Sequence, residues 1–118
     1  MTSPHELDAW ERSVLTRLLA YEFPGCDGLA SQLAGLTVAR RWVPSGSLDL
    51  QVARGADPAK VRRRVPVEGE AIDADGIPIH FLVHVADGLL RRLEIFKEDL
   101  SAPSYRPPPE AIRVTSLD

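Results

Sequence analysis

With one cysteine in 118 residues, Cys26 has nothing to pair with inside the chain. A disulfide scaffold and a Cys-x-x-Cys metal or redox site are both excluded, and the composition fits a reducing compartment. No apolar run approaches the roughly 20 residues that a membrane span requires. The opening Met-Thr-Ser-Pro-His-Glu lacks the basic and apolar regions of a secretory signal. There is no surplus of positive charge: the formal net charge is -3, which removes any general attraction to nucleic acid or an anionic membrane. A glycine-rich phosphate loop and a Gly-x-Ser-x-Gly turn are absent as well. These absences point to a soluble cytoplasmic protein with no cofactor, whose partner would be another protein or a second copy rather than nucleic acid or membrane.

What is present is a repeated turn. Pro44-Ser45-Gly46, Ala74-Asp75-Gly76 and Ala86-Asp87-Gly88 each separate two runs of strand-forming residues. A type I turn followed by a left-handed glycine is a common three-residue hairpin loop, so the sequence predicts three hairpins. Strands are expected over 37–43, 47–53, 65–73, 77–85 and 89–97. Pairing outward from each loop places Gly69 opposite Phe81, Leu93 beside Phe81, Trp42 opposite Leu48, and Arg41 opposite Asp49. Ile77, Ile79, Phe81, Val83 and Val85 alternate along the central strand and mark its buried face. Arg91 interrupts the pattern of its strand.

Before the strands, Ser3-Pro4-His5-Glu6 reads as a helix start with a capping box. Leu7, Trp10, Val14, Leu15 and Leu18 form the apolar stripe, with Glu11, Arg12 and Arg17 turned away from it. The helix should end before Phe23-Pro24-Gly25. A second helix carries Cys26, Leu29, Ala30 and Leu33 on one face and stops at Gly35. Residues 54–64 hold Arg54, Lys60 and Arg62-Arg63-Arg64 without periodicity, which suggests a mobile basic loop. The expected fold is α+β: two N-terminal helices packed on one face of a five-stranded antiparallel sheet. Residues 1–98 form that single domain. Residues 99–118 are a Pro-rich tail in which 111–115 offers a short edge strand.

The pattern Leu18-Leu19-Ala20-Tyr21-Glu22-Phe23-Pro24-Gly25, then Gln32-Leu33-Ala34-Gly35, resembles the opening of a group of small actinobacterial proteins of unknown function. Val85-Ala86-Asp87-Gly88 with Leu93-Glu94-Ile95-Phe96 continues that resemblance, which spans most of residues 7–98. The resemblance implies no known activity, and its helix and meander layout is similar to that of small immunity and interaction proteins.

One constellation could carry chemistry. The register places Glu70 opposite His80 and His80 opposite Glu94 on the face away from Phe81, with Cβ atoms about 4.5–5.5 Å apart. Such a row could serve acid–base catalysis or hold a metal. The ordinary reading of such a row is charges pairing across a solvated sheet, since a metal needs converging ligands and a flat row converges poorly. His84 lies four residues from His80, about 13 Å along a strand, so the two cannot share an ion. Pro66, Ile72, Pro78, Leu82, Leu90 and Phe96 share this outer face and make it more apolar than solvation requires. The tail or a partner is expected to cover part of it, with Leu82, Arg92 and Phe96 as binding candidates. The leading functional expectation is a non-enzymatic interaction module of immunity or regulatory type. The alternatives are a small metal-dependent or acid–base enzyme using Glu70, His80 and Glu94, and a ligand-binding module.

Overall fold

The structure, a computed structural model, describes residues 4–117. Helix α1 spans Ala9–Ala20 and α2 spans Cys26–Ser31. Six strands follow: β1 Thr37–Arg41, β2 Leu48–Gln51, β3 Val67–Ile72, β4 Pro78–Ala86, β5 Leu89–Lys97 and β6 Arg113–Ser116. They form one antiparallel sheet in the order β1-β2-β5-β4-β3-β6. The fold is α+β as expected, with six strands rather than five because residues 113–116 of the tail pair with β3.

α1 starts later than the sequence suggests. Of the expected start, Ser3 lies outside the described residues. Pro4, His5 and Glu6 run beside β1 instead of entering a helix. His5 accepts from the Val38 amide at 2.8 Å, and the Pro4 and Glu6 carbonyls accept from the Arg41 guanidinium. The capping box is real but falls on Asp8 and Glu11. The Asp8 carboxylate accepts from the Glu11 amide at 2.8 Å, and Glu11 accepts from the Asp8 amide at 2.9 Å. Glu11 is buried rather than turned to solvent, because Arg41 of β1 reaches back and donates to both of its carboxylate oxygens. The expected stripe holds: Val14, Leu15 and Leu18 are fully buried against the sheet.

Phe81 stands at the middle of the buried sheet face, opposite Gly69 as the sequence predicts. The missing side chain at Gly69 has a second use. A Cβ there would lie 2.6 Å from a methyl of Ile112 and 2.8 Å from one of Leu18, so this is the point where tail and helix close on the sheet. Gly69→Ala should therefore cost about 1–3 kcal/mol through overpacking. Urea denaturation checks it, and an unchanged midpoint would mean that Ile112 is not seated there.

All three turn glycines take positive φ, but only one loop closes as expected. Around Ala74-Asp75-Gly76, Asp73 pairs with Ile77 through a 3.1 Å hydrogen bond. At the next turn both Asp87 and Gly88 are left-handed, at φ 54° and 75°, which gives a two-residue loop that pairs Ala86 with Leu89. A bulge follows at Arg91, the residue that broke the sequence pattern. The combined effect moves the register by two residues. Phe81 lies opposite Ile95 instead of Leu93, and Leu90 turns inward to full burial instead of outward. In the first hairpin Trp42 pairs with Ser47 around a four-residue loop, and a bulge follows between Val38 and Arg40. Arg40, not Arg41, is then opposite Asp49, and Arg41 is opposite Leu48.

The basic connection is not a mobile loop. The Ala59 amide donates to Gly88 O at 2.8 Å, and the Val85 amide donates to Arg64 O at 2.7 Å. Buried Gln32 holds the centre: its amide donates to Asp57 O and Gly88 O, and its carbonyl accepts from the Leu90 amide. Gly88 permits this approach, since a Cβ there would meet Ala59 O at 2.6 Å.

Candidate functional site

The outer sheet face carries the residues singled out from the sequence, and the altered register redistributes them. Glu70 is opposite His80, as expected, but its carboxylate turns to Arg113 at 3.5 Å. Glu94 is opposite Leu82, not His80, and its carboxylate accepts from His84 Nε2 at 2.8 Å. His80 instead stands between Glu68, 3.0 Å from Nδ1, and Glu98, 3.1 Å from Nε2, with its ring stacked on Phe96 at 5.0 Å. The expected Glu70–His80–Glu94 row therefore does not converge. Among the described residues no group of three or more His, Cys, Asp or Glu side chains is arranged to hold a metal ion.

The remaining outer-face groups satisfy one another. Arg92 donates to Asp49 at 2.8 Å, Trp42 Nε1 donates to Asp49 at 3.1 Å, and the Arg40 guanidinium lies 3.7 Å above the Trp42 ring. Leu82, Arg92 and Phe96 are each half-buried in this network. Among the described residues no buried side-chain N or O lacks a hydrogen-bond partner. The tail meets the margins of this face, with Leu100 and Ser101 beside Phe96 and Arg113 beside Glu70. It crosses the helix side, where Trp10 Nε1 donates to Pro107 O at 2.7 Å and Arg106 pairs with Asp8 at 2.8 Å beside the Trp10 ring.

That path creates the most distinctive surface, at the end of the sheet formed by the β1–β2 turn. A cleft of about 270 Å³ has Ile79, Phe81 and Ile95 as its floor and Trp10, the 43–46 turn and residues 103–107 as its walls. A second cleft of about 310 Å³ lies on the other side of the turn, between Trp42, Phe96 and Leu100. Ser45 and Ile95 line both. Val43 and Leu100, each 87% exposed, stand at this end with the less exposed Trp42 and Tyr105. Leu100 is also held at φ 64°, a left-handed conformation uncommon for a residue with a side chain.

Behind the clefts lies a buried ion pair that sequence reasoning missed. Lys97 is 1% exposed and donates to Asp73 at 2.8 Å and to Asp75. Asp73 also accepts from the Ser104 amide at 3.0 Å and hydroxyl at 2.6 Å, which ties the tail to the β3–β4 turn. The hydrogen bond from Lys97, then that from the Ser104 hydroxyl, holds the Asp73 carboxyl far below the usual carboxylate range. The same contact with Asp73, then that with Asp75, raises Lys97. The signal was present in the two-residue period: Leu93, Ile95 and Lys97 share one side of β5. Cys26 is half-buried against the core, with its thiol 3.9 Å from an Asp27 carboxylate oxygen.

Fold and site together define a small α+β domain whose buried polar side chains, among the described residues, are all hydrogen-bonded, and whose two most exposed large apolar residues, Val43 and Leu100, stand at one end. Residues 4–104 match the family described as "Domain of unknown function (DUF6984)", and the chain belongs to that family. The match takes in Ser104, the tail residue bound by Asp73, while β6 lies beyond it. No curated protein and no solved structure matches the chain. Among the described residues no helix is long and apolar enough to cross a membrane.

Proposed function

We propose that this chain is a non-enzymatic, cytoplasmic protein-interaction module of immunity or regulatory type, and that the β1–β2 turn end is its contact surface. The observation that carries this reading is the exposure of Val43 and Leu100 beside Trp42 and Tyr105, around two adjoining clefts. Aromatic anchors next to pockets are the usual energetic centres of protein interfaces. The polar groups around the clefts already have partners: Ser45 donates to Ser47, Ser104 to Asp73, and Tyr105 to Ile72 O. Little is left there for acid–base work or for recognising a polar substrate, whereas apolar side chains of a partner would fill the clefts and cover Val43 and Leu100. The outer sheet face, with Leu82, Arg92 and Phe96, continues from the Trp42 side and supplies a polar rim.

A photo-crosslinkable phenylalanine analogue in place of Val43 tests this in extracts of cells that naturally express the protein. One discrete adduct is expected, lost when Leu100→Asp is added and absent when the analogue replaces Glu22, an exposed residue just beyond the C-terminus of α1. Identical adducts from both positions, or none from Val43, would remove the turn end as the contact surface. The second reading is the ligand-binding module, with the 270 Å³ cleft, just below the roughly 300 Å³ at which small-molecule sites begin, as its pocket. A crosslink to protein that is unaffected when Phe81→Leu reshapes the cleft floor would speak against that second reading.

A further inference from the structure

The opposite end of the sheet carries a different kind of surface. The β1–β2 turn lies beside Ile95, whereas the 54–64 connection packs on the β4–β5 turn at Gly88. Ile95 and Gly88 are seven residues apart along β5, at roughly 3.3 Å each, which sets the two ends about 20 Å apart. Residues 54–64 hold Arg54, Lys60, Arg62, Arg63 and Arg64 against the single carboxylate of Asp57, a net +4 in a chain whose total is -3. The remaining residues therefore carry -7. All five cations are exposed. Arg54, Lys60, Arg62 and Arg64 make no ion pair among the described residues; outside the loop Arg41, Arg92, Lys97, Arg106 and Arg113 do, Arg12 and Arg17 donate to backbone carbonyls, Arg40 stacks on Trp42, and Arg91 of β5 is a further cation without an ion pair.

A flexible basic loop would be an ordinary solvated segment. This one is held. Gln32 is buried and spends its whole amide on the loop and the turn beneath it, bonding Asp57 O, Gly88 O and the Leu90 amide. Arg64 is fixed through its own carbonyl to Val85, and Ala59 and Val61 pack on the core. The cations thus project from an ordered backbone, and a partner meeting them would pay less ordering entropy than on a mobile loop.

We propose that residues 54–64 form a preorganised docking ridge for an acidic segment of a protein partner. Charge complementarity selects the acidic class: four cations without ion pairs lie within residues 54–64, in a chain whose remaining residues are net acidic. It also selects a short protein segment over nucleic acid. A phosphate backbone extends its charge beyond the ridge, toward the -7 of the remaining chain, and residues 54–64 offer no aromatic ring on which a base could stack. This surface is independent of the turn-end reading, and its test neither uses nor disturbs that end.

The test is fluorescence anisotropy with a labelled glutamate-rich peptide and, separately, a single-stranded oligonucleotide of matched length. Saturable peptide binding is expected at low ionic strength, weakening as salt screens the charges. Arg62→Glu/Arg64→Glu should reduce the affinity by at least about tenfold, since reversing two charges turns attraction into repulsion. The control Arg12→Glu/Arg113→Glu changes net charge equally at other places and should leave affinity within about twofold. Both doubles alter exposed side chains, so a circular dichroism melt close to that of the parent confirms that each is folded. No saturable binding to the peptide, an equal loss in the control, or tighter binding of the oligonucleotide than of the peptide would each overturn the proposal, the last in favour of nucleic acid.

Discussion

Phe81→Ala should destabilise the protein by about 3–5 kcal/mol. The ring is fully buried at the centre of β4, which is flanked by β5 and β3. It lies opposite Gly69 on one side and Ile95 on the other, with the Trp10 ring centroid 6.2 Å away. A cavity left here cannot collapse readily. Gly69 offers no side chain to move inward, and its own space is already filled by Ile112 and Leu18. Trp10 is held from behind by its hydrogen bond to Pro107 O. The loss should appear as a lower urea midpoint with an unchanged slope, since the surface exposed on unfolding is nearly the same. A midpoint like that of the parent would mean that the buried face of β4 is inverted. The same substitution deepens the turn-end cleft whose floor Phe81 forms, so it also tests whether that cleft depends on the ring.

The face assignment behind that prediction was legible from alternation alone. Ile79, Phe81, Val83 and Val85 are all buried, and Gly69 stands where the Asp73–Ile77 turn places it. Partner assignments across β4 and β5 were less legible, because they depend on loop length. A three-residue and a two-residue closure at Ala86-Asp87-Gly88 both use a left-handed glycine, and nothing local forces Asp87 to φ 54°. That choice, together with the bulge at Arg91, moved Glu94 from His80 to His84 and brought Glu68 and Glu98 to His80. Away from the bulge, which turned Leu90 inward, a two-residue shift preserves faces and changes neighbours, which is why Glu70, His80, Leu82, Glu94 and Phe96 were placed on the outer face and their pairing was not. The capping box was legible as a motif and misplaced by position. Asp8 and Glu11 satisfy the pattern as well as Ser3 and Glu6 do, and the long-range pull of Arg41 and Val38 on residues 4–6 decides between them. Val43, Leu100 and the clefts beside them were invisible in sequence, because they arise where the tail crosses the helix side. That crossing depends on contacts such as Ser104 to Asp73, which no local rule supplies.

Removing the Asp73 carboxylate should have the other large effect, and its pH dependence has a definite sign. Asp73 joins three parts of the chain: its own turn, Lys97 at the end of β5, and Ser104 in the tail. Asp73→Ala leaves the buried Lys97 ammonium with Asp75 alone, frees the Ser104 hydroxyl, and removes the tail's tie at Ser104. Loss of one member of a buried pair is among the costlier changes, and a melting temperature lower by on the order of 10 °C is expected. Chymotryptic cleavage after Tyr105 should also accelerate, since the segment that carries it is no longer fixed at Ser104. In the parent, the folded Asp73 carboxyl lies below its ordinary value because Lys97 and then Ser104 bond its charged form. Its contribution is therefore present above the unfolded value of about 4 and is lost as pH falls through the folded value. Lys97 is raised, by Asp73 and then Asp75, so its contribution is present below its ordinary value of about 10.4 and is lost as pH rises through the folded value. Melting temperature should accordingly run flat from about pH 5 to pH 10 as far as this pair is concerned, and fall on either side. Asp73→Asn keeps the shape of the side chain and cannot titrate, so it should lower the plateau and flatten the acid limb. If the acid limb of Asp73→Asn keeps the parent's full slope, the acid sensitivity resides in Asp8, Asp75 and Asp99, whose carboxyls are also held below their ordinary values, and not in the tie between sheet and tail.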